Sequence, residues 1–170
     1  MLDTNELLRL SRQYHRELPN VRGMRFRGDD LRKISYENLD VSLGRVADTA
    51  GWFKFWDENL NVDQNKLLDD YVQGLDSILW LAQIEQWMHL VVIEAADIEK
   101  LSKFPHGNLH NHYLGLKTMA WNCYLRHSQE DYKHLLKSYL KLGLVELELA
   151  PDAIMGHFNE CFNLLIDEIN

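Results

Sequence analysis

The sequence is poor in the residues that interrupt helices. It contains only three prolines and nine glycines in 170 residues. A sheet of many strands needs a turn between successive strands, and these two residues are among the commonest in turns. Their shortage favours a few long helices, and 170 residues is enough for one domain with a substantial core. We therefore predict a single all-α domain over residues 1–170, a helical bundle of five to six helices.

Cysteines are also scarce, and no long apolar run is present. Cys123 and Cys161 are the two cysteines, and they show no metal-binding spacing. Residues 1–6 lack the basic and apolar regions of a signal peptide. The most apolar stretch, residues 78–96, is too polar for a membrane span because it contains Gln83, Glu85, Gln86, His89 and Glu94. These features predict a cytoplasmic protein without a membrane partner.

Negative charge predominates, but it is unevenly distributed. The formal net charge is -8 at pH 7, which argues against nucleic acid as the main partner. Residues 1–33 contain eight basic against five acidic residues, a balance of +3, so the remainder carries -11. This distribution predicts a basic N-terminal surface on an acidic body. Intrachain pairing is its simplest interpretation, and a phosphate or an acidic partner is the alternative.

Apolar spacing and capping residues predict the order of the helices. Asp3 is a candidate cap for the first helix, and Pro19 is expected to end it. A second helix, capped by Asp29 or Asp30, is predicted to reach about Phe55. Four further helices are predicted: residues 64–97 with a break near Gln86, residues 111–126, one from Ser128 to Gly143, and one from Pro151 onward.

Two segments in the first half of the chain combine aromatic or apolar residues with polar side chains. The first is Trp52-Phe53-Lys54-Phe55-Trp56, and the second is Asp69-Asp70-Tyr71-Val72-Gln73-Gly74-Leu75. Polar side chains are costly to bury without partners, so they face either water or each other across a site. These segments resemble those of the all-α dimeric dUTPases of phage type, which are related to the MazG-type nucleotide pyrophosphohydrolases. The resemblance covers about residues 2–82.

The resemblance implies a dimeric bundle in which two helices each present a pair of carboxylates three residues apart. Such pairs lie on one helix face and hold the Mg²⁺ ions that bind the triphosphate and activate water. In this sequence the first pair falls on Ser42 and Arg45, and the second on Asp70 and Gln73. A permanently charged guanidinium repels a divalent cation. We therefore predict that Arg45 forms an internal ion pair with Asp70 in place of the metal.

Other site residues follow from the same resemblance. The positions that recognise uracil in the family fall on Ser11 and His15, and Lys54 matches a lysine of the family. If the chain were an active Mg²⁺-dependent enzyme, Asp70 would need support from shifted acids. The candidates for that alternative metal site are Asp48, Asp69 and Asp76.

Two clusters outside the resemblance have alternative interpretations. Three histidines near one loop suit a surface role, with a transition-metal site as the alternative: His106, His110 and His112. Three tryptophans at helical spacings suit a core or a dimer interface, with stacking on a base as the alternative: Trp80, Trp87 and Trp121.

The predicted function is that of a dUTPase-like homodimer with a degraded metal site. We expect it to lack catalysis and a cofactor, and to act through regulatory or phage–host protein contacts. One alternative is an active Mg²⁺-dependent dUTP or dNTP pyrophosphohydrolase. The other is a sensor that binds a deoxynucleotide without hydrolysing it.

Overall fold

The computed structural model describes residues 1–169, and all regular secondary structure among them is helical. The α-helices in chain order are α1 (Thr4–Val21), α2 (Gly28–Ala50), α3 (Gln64–Ile84), α4 (Ala95–Ser102), α5 (Leu109–Arg126), α6 (Gln129–Lys141) and α7 (Pro151–Ile169). A 3₁₀ turn, Met88–Leu90, lies between α3 and α4, and a π turn, Leu142–Glu146, extends α6. The predicted all-α class is confirmed. Asn170, the last residue of the predicted domain, lies outside the described residues.

Side-chain caps begin several of the helices. The Asp3 carboxylate accepts from the backbone N–H groups of Asn5 and Glu6 at the start of α1. Ser128 caps α6 by accepting from the N–H of Asp131, as its sequence position predicts. The cap predicted for α2 is wrong, because the N-cap residue is Arg27 and its side chain makes no capping bond.

Two helix ends differ from the prediction for a local reason. Pro19 lies inside α1, which continues to Val21. A proline so near the C-terminus disturbs only the last turn. Helix α2 ends at Ala50, because Gly51 adopts the left-handed conformation with φ of 71° and its N–H bonds to the Ala47 carbonyl. The aromatic residues 52–56 therefore lie in a loop and do not form the end of a helix.

The expected break near Gln86 is present. Helix α3 ends at Ile84, and Gln86 has a φ of 62°, which a continuous helix does not allow. The segment expected to complete this helix instead contains the 3₁₀ turn and the short α4. This division explains why residues 1–169 form seven α-helices where five to six were predicted.

Helix α3 lies at the centre of the bundle and packs against α1, α2 and α7. The Tyr71 and Tyr139 rings, on α3 and α6, stack with centroids 4.7 Å apart. Each tyrosine hydroxyl donates to the backbone carbonyl of the other, at 3.1 Å from Tyr71 and 2.8 Å from Tyr139. This reciprocal pair satisfies both buried hydroxyls and joins the two helices. Within residues 1–169, no helix has the length and apolar character of a membrane span.

Candidate functional site

A cleft of about 1040 Å³ lies between α1, α2 and α3. Its walls come from side chains of α1, α2 and α3. Met24 and Phe26, in the α1–α2 connection, cover one edge. A cleft of this size is large enough for a nucleotide or another ligand of similar size.

The charge of the cleft is opposite to that of the whole protein. Among the described residues that line it, four are arginines and one is acidic: Arg9, Arg12, Arg16, Arg45 and Asp76. Arg9 pairs with Glu6, and Arg16 contacts Glu17. No ion pair or hydrogen bond joins the guanidinium of Arg12 or Arg45 to another residue in the described chain. These two guanidiniums are thus available to an anionic ligand.

The inner wall of the cleft holds a buried acid bonded to a histidine. His15 Nε2 lies 2.8 Å from Asp76 Oδ2, and the Asp76 side chain is only 7% exposed. The other oxygen, Oδ1, is buried and has no hydrogen-bond partner. Burial and the negative charge of Asp76 both raise the pKa of neighbouring Tyr14. Leaving such an oxygen unpaired is costly, and a small shift of the surrounding side chains would expose it to a ligand N–H or O–H.

An aromatic surface lies next to this acid. The His15 ring stacks on the indole of Trp80 with centroids 4.5 Å apart and planes 4° from parallel. Both residues line the cleft and both are partly exposed. The arrangement places a flat π surface beside a buried hydrogen-bond acceptor, which suits a planar heterocycle.

Uncharged polar groups complete the wall. Ser77 accepts from the Asn38 amide at 2.9 Å, contacts the Ser42 hydroxyl at 3.0 Å, and donates to the Gln73 carbonyl at 2.9 Å. All four residues lie on α2 or α3, and their contacts form a polar seam between the two helices. It is held by hydroxyl and amide bonds.

The predicted ion pair between Arg45 and Asp70 is wrong. Asp70 Oδ2 accepts from Thr49 Oγ1 at 2.5 Å and from Lys66 Nζ at 2.5 Å. Lys66 lies four residues before Asp70 on α3, so the pairing is local and needs no second helix. Arg45 is exposed and lines the cleft.

The residues named by the dUTPase resemblance divide into two groups. Four of them line the cleft together: His15, Ser42, Arg45 and Gln73. Ser11 is buried and accepts from the Gln83 amide at 2.9 Å. Lys54 binds Asp48, with Nζ 2.7 Å from its carbonyl and 2.8 Å from its carboxylate, and does not line the cleft.

These residues do not fit the magnesium ions that the resemblance implies. Mg²⁺ prefers carboxylate and water oxygens in octahedral geometry. A hydroxyl, a guanidinium and an amide occupy three of the four family positions, and the remaining carboxylate of Asp70 is engaged by Lys66 and Thr49. No catalytic step through magnesium is derived for this arrangement.

The shifted acids do not replace the missing ligands as a group. Asp48 binds Lys54, Asp69 contacts His157, and Asp76 binds His15. Within residues 1–169, clusters of three possible metal ligands include Asp69 with His157 and Cys161, and none combines Asp48, Asp69 and Asp76. The three acids therefore lie in three separate environments.

The histidine and tryptophan clusters are also separated. His106 and His112 both approach Glu146, whereas His110 is exposed. Trp87 is 1% exposed in the core and Trp121 is 46% exposed. Trp80 alone of the three lines the cleft, which agrees with the stacking alternative for this residue.

Sequence reasoning missed Arg12 and the contact of His15 with Asp76. The arginines were considered only as a general basic surface. Their spacing at positions 9, 12 and 16 places them on one face of α1, and this was the available signal. The His15–Asp76 contact joins residues 61 positions apart, and no local pattern predicts it.

Comparison of the chain with family models, curated proteins and solved structures found no match. The chemistry of the cleft is thus the basis for assigning a function.

Proposed function

We propose that this protein binds a phosphorylated ligand of nucleotide size in the cleft between α1, α2 and α3, without hydrolysing it. The proposal keeps the dUTPase-like scaffold suggested by the sequence and favours the sensor alternative. One observation carries it: the unpaired guanidiniums of Arg12 and Arg45 line the same cleft as Asp76, whose Oδ1 has no hydrogen-bond partner. An anion with a hydrogen-bond donor at its other end is complementary to both.

The side chains that line the cleft suggest how a nucleotide would lie. Phosphate oxygens suit Arg12 and Arg45, because a guanidinium donates two parallel hydrogen bonds to such groups. A base would lie against Trp80 and direct an N–H group at Asp76 Oδ1. A pyrimidine with a ring N–H, such as uracil, or a base with an exocyclic amine provides that donor.

The identity of the residues argues against turnover. Hydrolysis of a triphosphate in this class needs several oxygen ligands to hold Mg²⁺, and Arg45 stands at one of those positions. Binding energy between a guanidinium and phosphate lowers the ground state of the ligand without supplying an activated water. We therefore expect the bound nucleotide to remain intact.

The proposal is tested by calorimetric titration of the protein with dUTP, dUMP, the other dNTPs and pyrophosphate. We expect at least one nucleotide to bind and to raise the melting temperature. Arg45→Gln should weaken triphosphate binding about ten- to a hundredfold, since a charge-assisted bond contributes roughly 1.5–3 kcal/mol. Arg126→Gln is the matched control, because Arg126 is exposed at the end of α5 and does not line the cleft.

Asp76→Asn tests the other end of the ligand. The variant removes the negative charge and replaces one of the two acceptor oxygens with an NH₂ donor, so it should weaken binding of a nucleotide more than binding of pyrophosphate. No binding of any nucleotide or of pyrophosphate would refute the proposal. Pyrophosphate release with Mg²⁺ or Mn²⁺ that is lost in Asp70→Ala would instead support the pyrophosphohydrolase alternative.

A second function, contact with a protein, is favoured by the loop that follows α2. Three neighbouring aromatic side chains are exposed there: Phe53 by 38%, Phe55 by 91% and Trp56 by 61%. The Phe55 and Trp56 rings pack edge to face with centroids 5.1 Å apart. Adjacent exposed aromatic residues are typical of interaction surfaces. The occupant we propose is a second copy of the chain, in line with the predicted homodimer.

Sedimentation velocity over a range of concentrations tests this surface. We expect the wild-type chain to be dimeric and Phe55→Ser to shift the population toward monomer. Phe104→Ser is a matched control, because Phe104 is 53% exposed in a loop remote in sequence from residues 51–63. A monomeric wild-type chain would exclude the homodimer and leave a different protein as the partner to be sought.

A further inference from the structure

A second group of polar side chains lies where α3 meets α7, away from the residues that line the cleft. Asp69 comes from α3, and His157 and Cys161 lie four residues apart on α7. His157 Nε2 lies 3.2 Å from Asp69 Oδ1 and 3.4 Å from Cys161 Sγ, and Sγ lies 4.0 Å from Oδ1. One oxygen, one nitrogen and one sulfur atom therefore form a compact triangle.

The triangle has nearly the dimensions of one face of a tetrahedral zinc site. Zinc bonds of about 2.0 Å to oxygen, 2.05 Å to nitrogen and 2.3 Å to sulfur give ligand separations of roughly 3.3 Å for O–N, 3.6 Å for N–S and 3.5 Å for S–O. The first two values match the observed separations within about 0.2 Å. The third requires a rotation of the Asp69 carboxylate, which is free to make it because the side chain is 51% exposed.

The same geometry does not suit a catalytic triad of cysteine, histidine and aspartate. In such a triad the thiol and the carboxylate contact different nitrogens of the imidazole ring, so that one nitrogen takes a proton while the other is held. Here Asp69 and Cys161 both approach Nε2 of His157. Convergence on a single nitrogen instead brings one oxygen, one nitrogen and one sulfur atom within 4.0 Å of one another, and such proximity is what chelation of a single ion needs.

We propose that Asp69, His157 and Cys161 form a binding site for a divalent transition metal, with Zn²⁺ as the expected ion. The three residue types are all zinc ligands, and thiolate with imidazole disfavours Mg²⁺ and Ca²⁺. Cys161 releases its proton to solvent on binding and coordinates as the thiolate. Solvent supplies the fourth ligand, because Asp69 and His157 are both partly exposed.

The site is independent of the proposed nucleotide cleft. None of its three residues lines that cleft, so loss of nucleotide binding would leave this proposal intact.

Titration of the reduced protein with Co²⁺ tests the site directly, because cobalt bound to a thiolate gives a charge-transfer band in the near ultraviolet. We expect one equivalent of Co²⁺ to bind with that band, and Zn²⁺ to displace it. Cys161→Ser should abolish the band, and Asp69→Asn should weaken Zn²⁺ binding by about tenfold or more. Two control variants should leave the band unchanged. Cys123→Ser replaces the buried thiol with a hydroxyl, and His110→Gln replaces an exposed histidine.

A measurement on the unmodified chain covers the case in which a variant misfolds. Zn²⁺ at micromolar concentration should slow alkylation of Cys161 about tenfold or more, because the coordinated thiolate is shielded. The modified cysteine is identified by peptide mass. The proposal is overturned if Co²⁺ gives no thiolate band, if the band persists in Cys161→Ser, or if Zn²⁺ leaves the alkylation rate unchanged.

Discussion

At the scale of single residues, two glycines allow the stacked tyrosines of the core to reach the backbone. Gly143 lies in the π turn, where an added Cβ would overlap the Tyr71 ring, and Gly74 on α3 has the same relation to Tyr139. Both rings are fully buried and hydrogen-bonded, so neither can move aside freely. The sequence suggested Gly143 as a helix-ending residue, but its role is to leave space for an aromatic ring.

Gly143→Ala is therefore expected to destabilise the protein. Overpacking a rigid core typically costs about 1–3 kcal/mol, and here the loss of a tyrosine hydrogen bond adds to that cost. Gly156→Ala, at an open position of α7 with nothing near the added methyl group, should instead be neutral or stabilising by about 0.5–1 kcal/mol. Urea unfolding of both variants measures the difference, and equal effects would contradict the proposed role of Gly143.

Glu146 gives the protein an acid-sensitive contact. Its side chain is 2% exposed, and it accepts from Lys141 Nζ at 2.7 Å and from the Gly107 N–H at 2.9 Å. Burial raises the pKa of Glu146, but the bonds from Lys141, Gly107 and His106 more than offset it, so the pKa lies below its usual value. The carboxylate thus stabilises the folded state above the unfolded pKa of about 4.3, and this contribution is lost as pH falls through the lower folded pKa.

Glu146→Gln should lower the free energy of unfolding at pH 7 by about 2 kcal/mol, because Lys141 loses a charged partner. The difference from wild type should shrink once the pH falls below about 4. Denaturation at several pH values measures it. Glu99→Gln is the control, since Glu99 pairs with Lys103 at the surface and its replacement should have little effect at any pH. If Glu146→Gln lowered the free energy of unfolding equally at every pH, the charge of Glu146 would not be the source of its stabilising effect.

At the scale of the elements, α2 differs from its neighbours in its start. Its N-cap residue is Arg27, which has extended backbone angles but no side-chain acceptor, and its first turn carries Asp29 and Asp30. Side chains that accept from the first free N–H groups stabilise a helix, and Ser128 does so for α6. The start of α2 is thus a position where the natural residue does not use an available stabilising bond.

Arg27→Asp should raise the free energy of unfolding by about 0.5–1 kcal/mol, because the new carboxylate can accept from the first turn and favours the helix dipole. Ser128→Ala should have the opposite effect, a loss of about 1 kcal/mol. Thermal unfolding of the two variants tests the pair. No gain in Arg27→Asp would mean that repulsion from Asp29 and Asp30 cancels the cap.

The elements also show which features could be read from the sequence. Asp3, Ser128 and Pro151 mark helix starts correctly because a cap depends on residues within one turn. The rotation of a helix about its own axis is harder to predict from the sequence, since a shift of one residue turns a side chain by about 100°. The prediction for Asp70 is wrong for this reason. It assumed that Asp70 faces Arg45 on α2, whereas Asp70 pairs with Lys66, one turn away on the same helix.

The candidate site was predicted in part. Four residues named from the resemblance line one cleft, and two of them, Ser42 and Arg45, share it because residues three apart on a helix keep a common face. The contact between His15 and Asp76 depends on how α1 docks on α3, which no pattern in either helix specifies. The group formed by Asp69, His157 and Cys161 had a local signal in the four-residue spacing of His157 and Cys161, but Asp69 is 88 positions from His157.

At the scale of the whole molecule, an acidic protein carries a basic cleft. The net charge is -8, yet the described residues of the cleft include four arginines against one aspartate. The basic character predicted for the N-terminal region is thus found in this cleft, to which Arg9, Arg12 and Arg16 contribute. Long-range repulsion from the acidic body opposes an incoming anion, and the arginines attract it at short range.

Binding of dUTP should accordingly weaken with salt. Raising the ionic strength from about 0.05 to 0.5 M shortens the screening length to a few ångströms, so we expect about a tenfold rise in Kd. Calorimetric titration at each salt concentration measures the change. Deoxyuridine, which has no phosphate, is the control and should bind with little dependence on salt. A Kd for dUTP that stays constant would place its phosphates away from the arginines.

Helix α3 contributes to both proposed sites. Asp69 and Asp76 are seven residues apart on it, which is a separation of about 10.5 Å along the axis. A cobalt ion held near Asp69 would therefore sit close enough to a nucleotide beside Asp76 to broaden its phosphorus resonances by paramagnetic relaxation. Because broadening decreases steeply with distance, its size at each phosphorus would show which end of the nucleotide faces the ion.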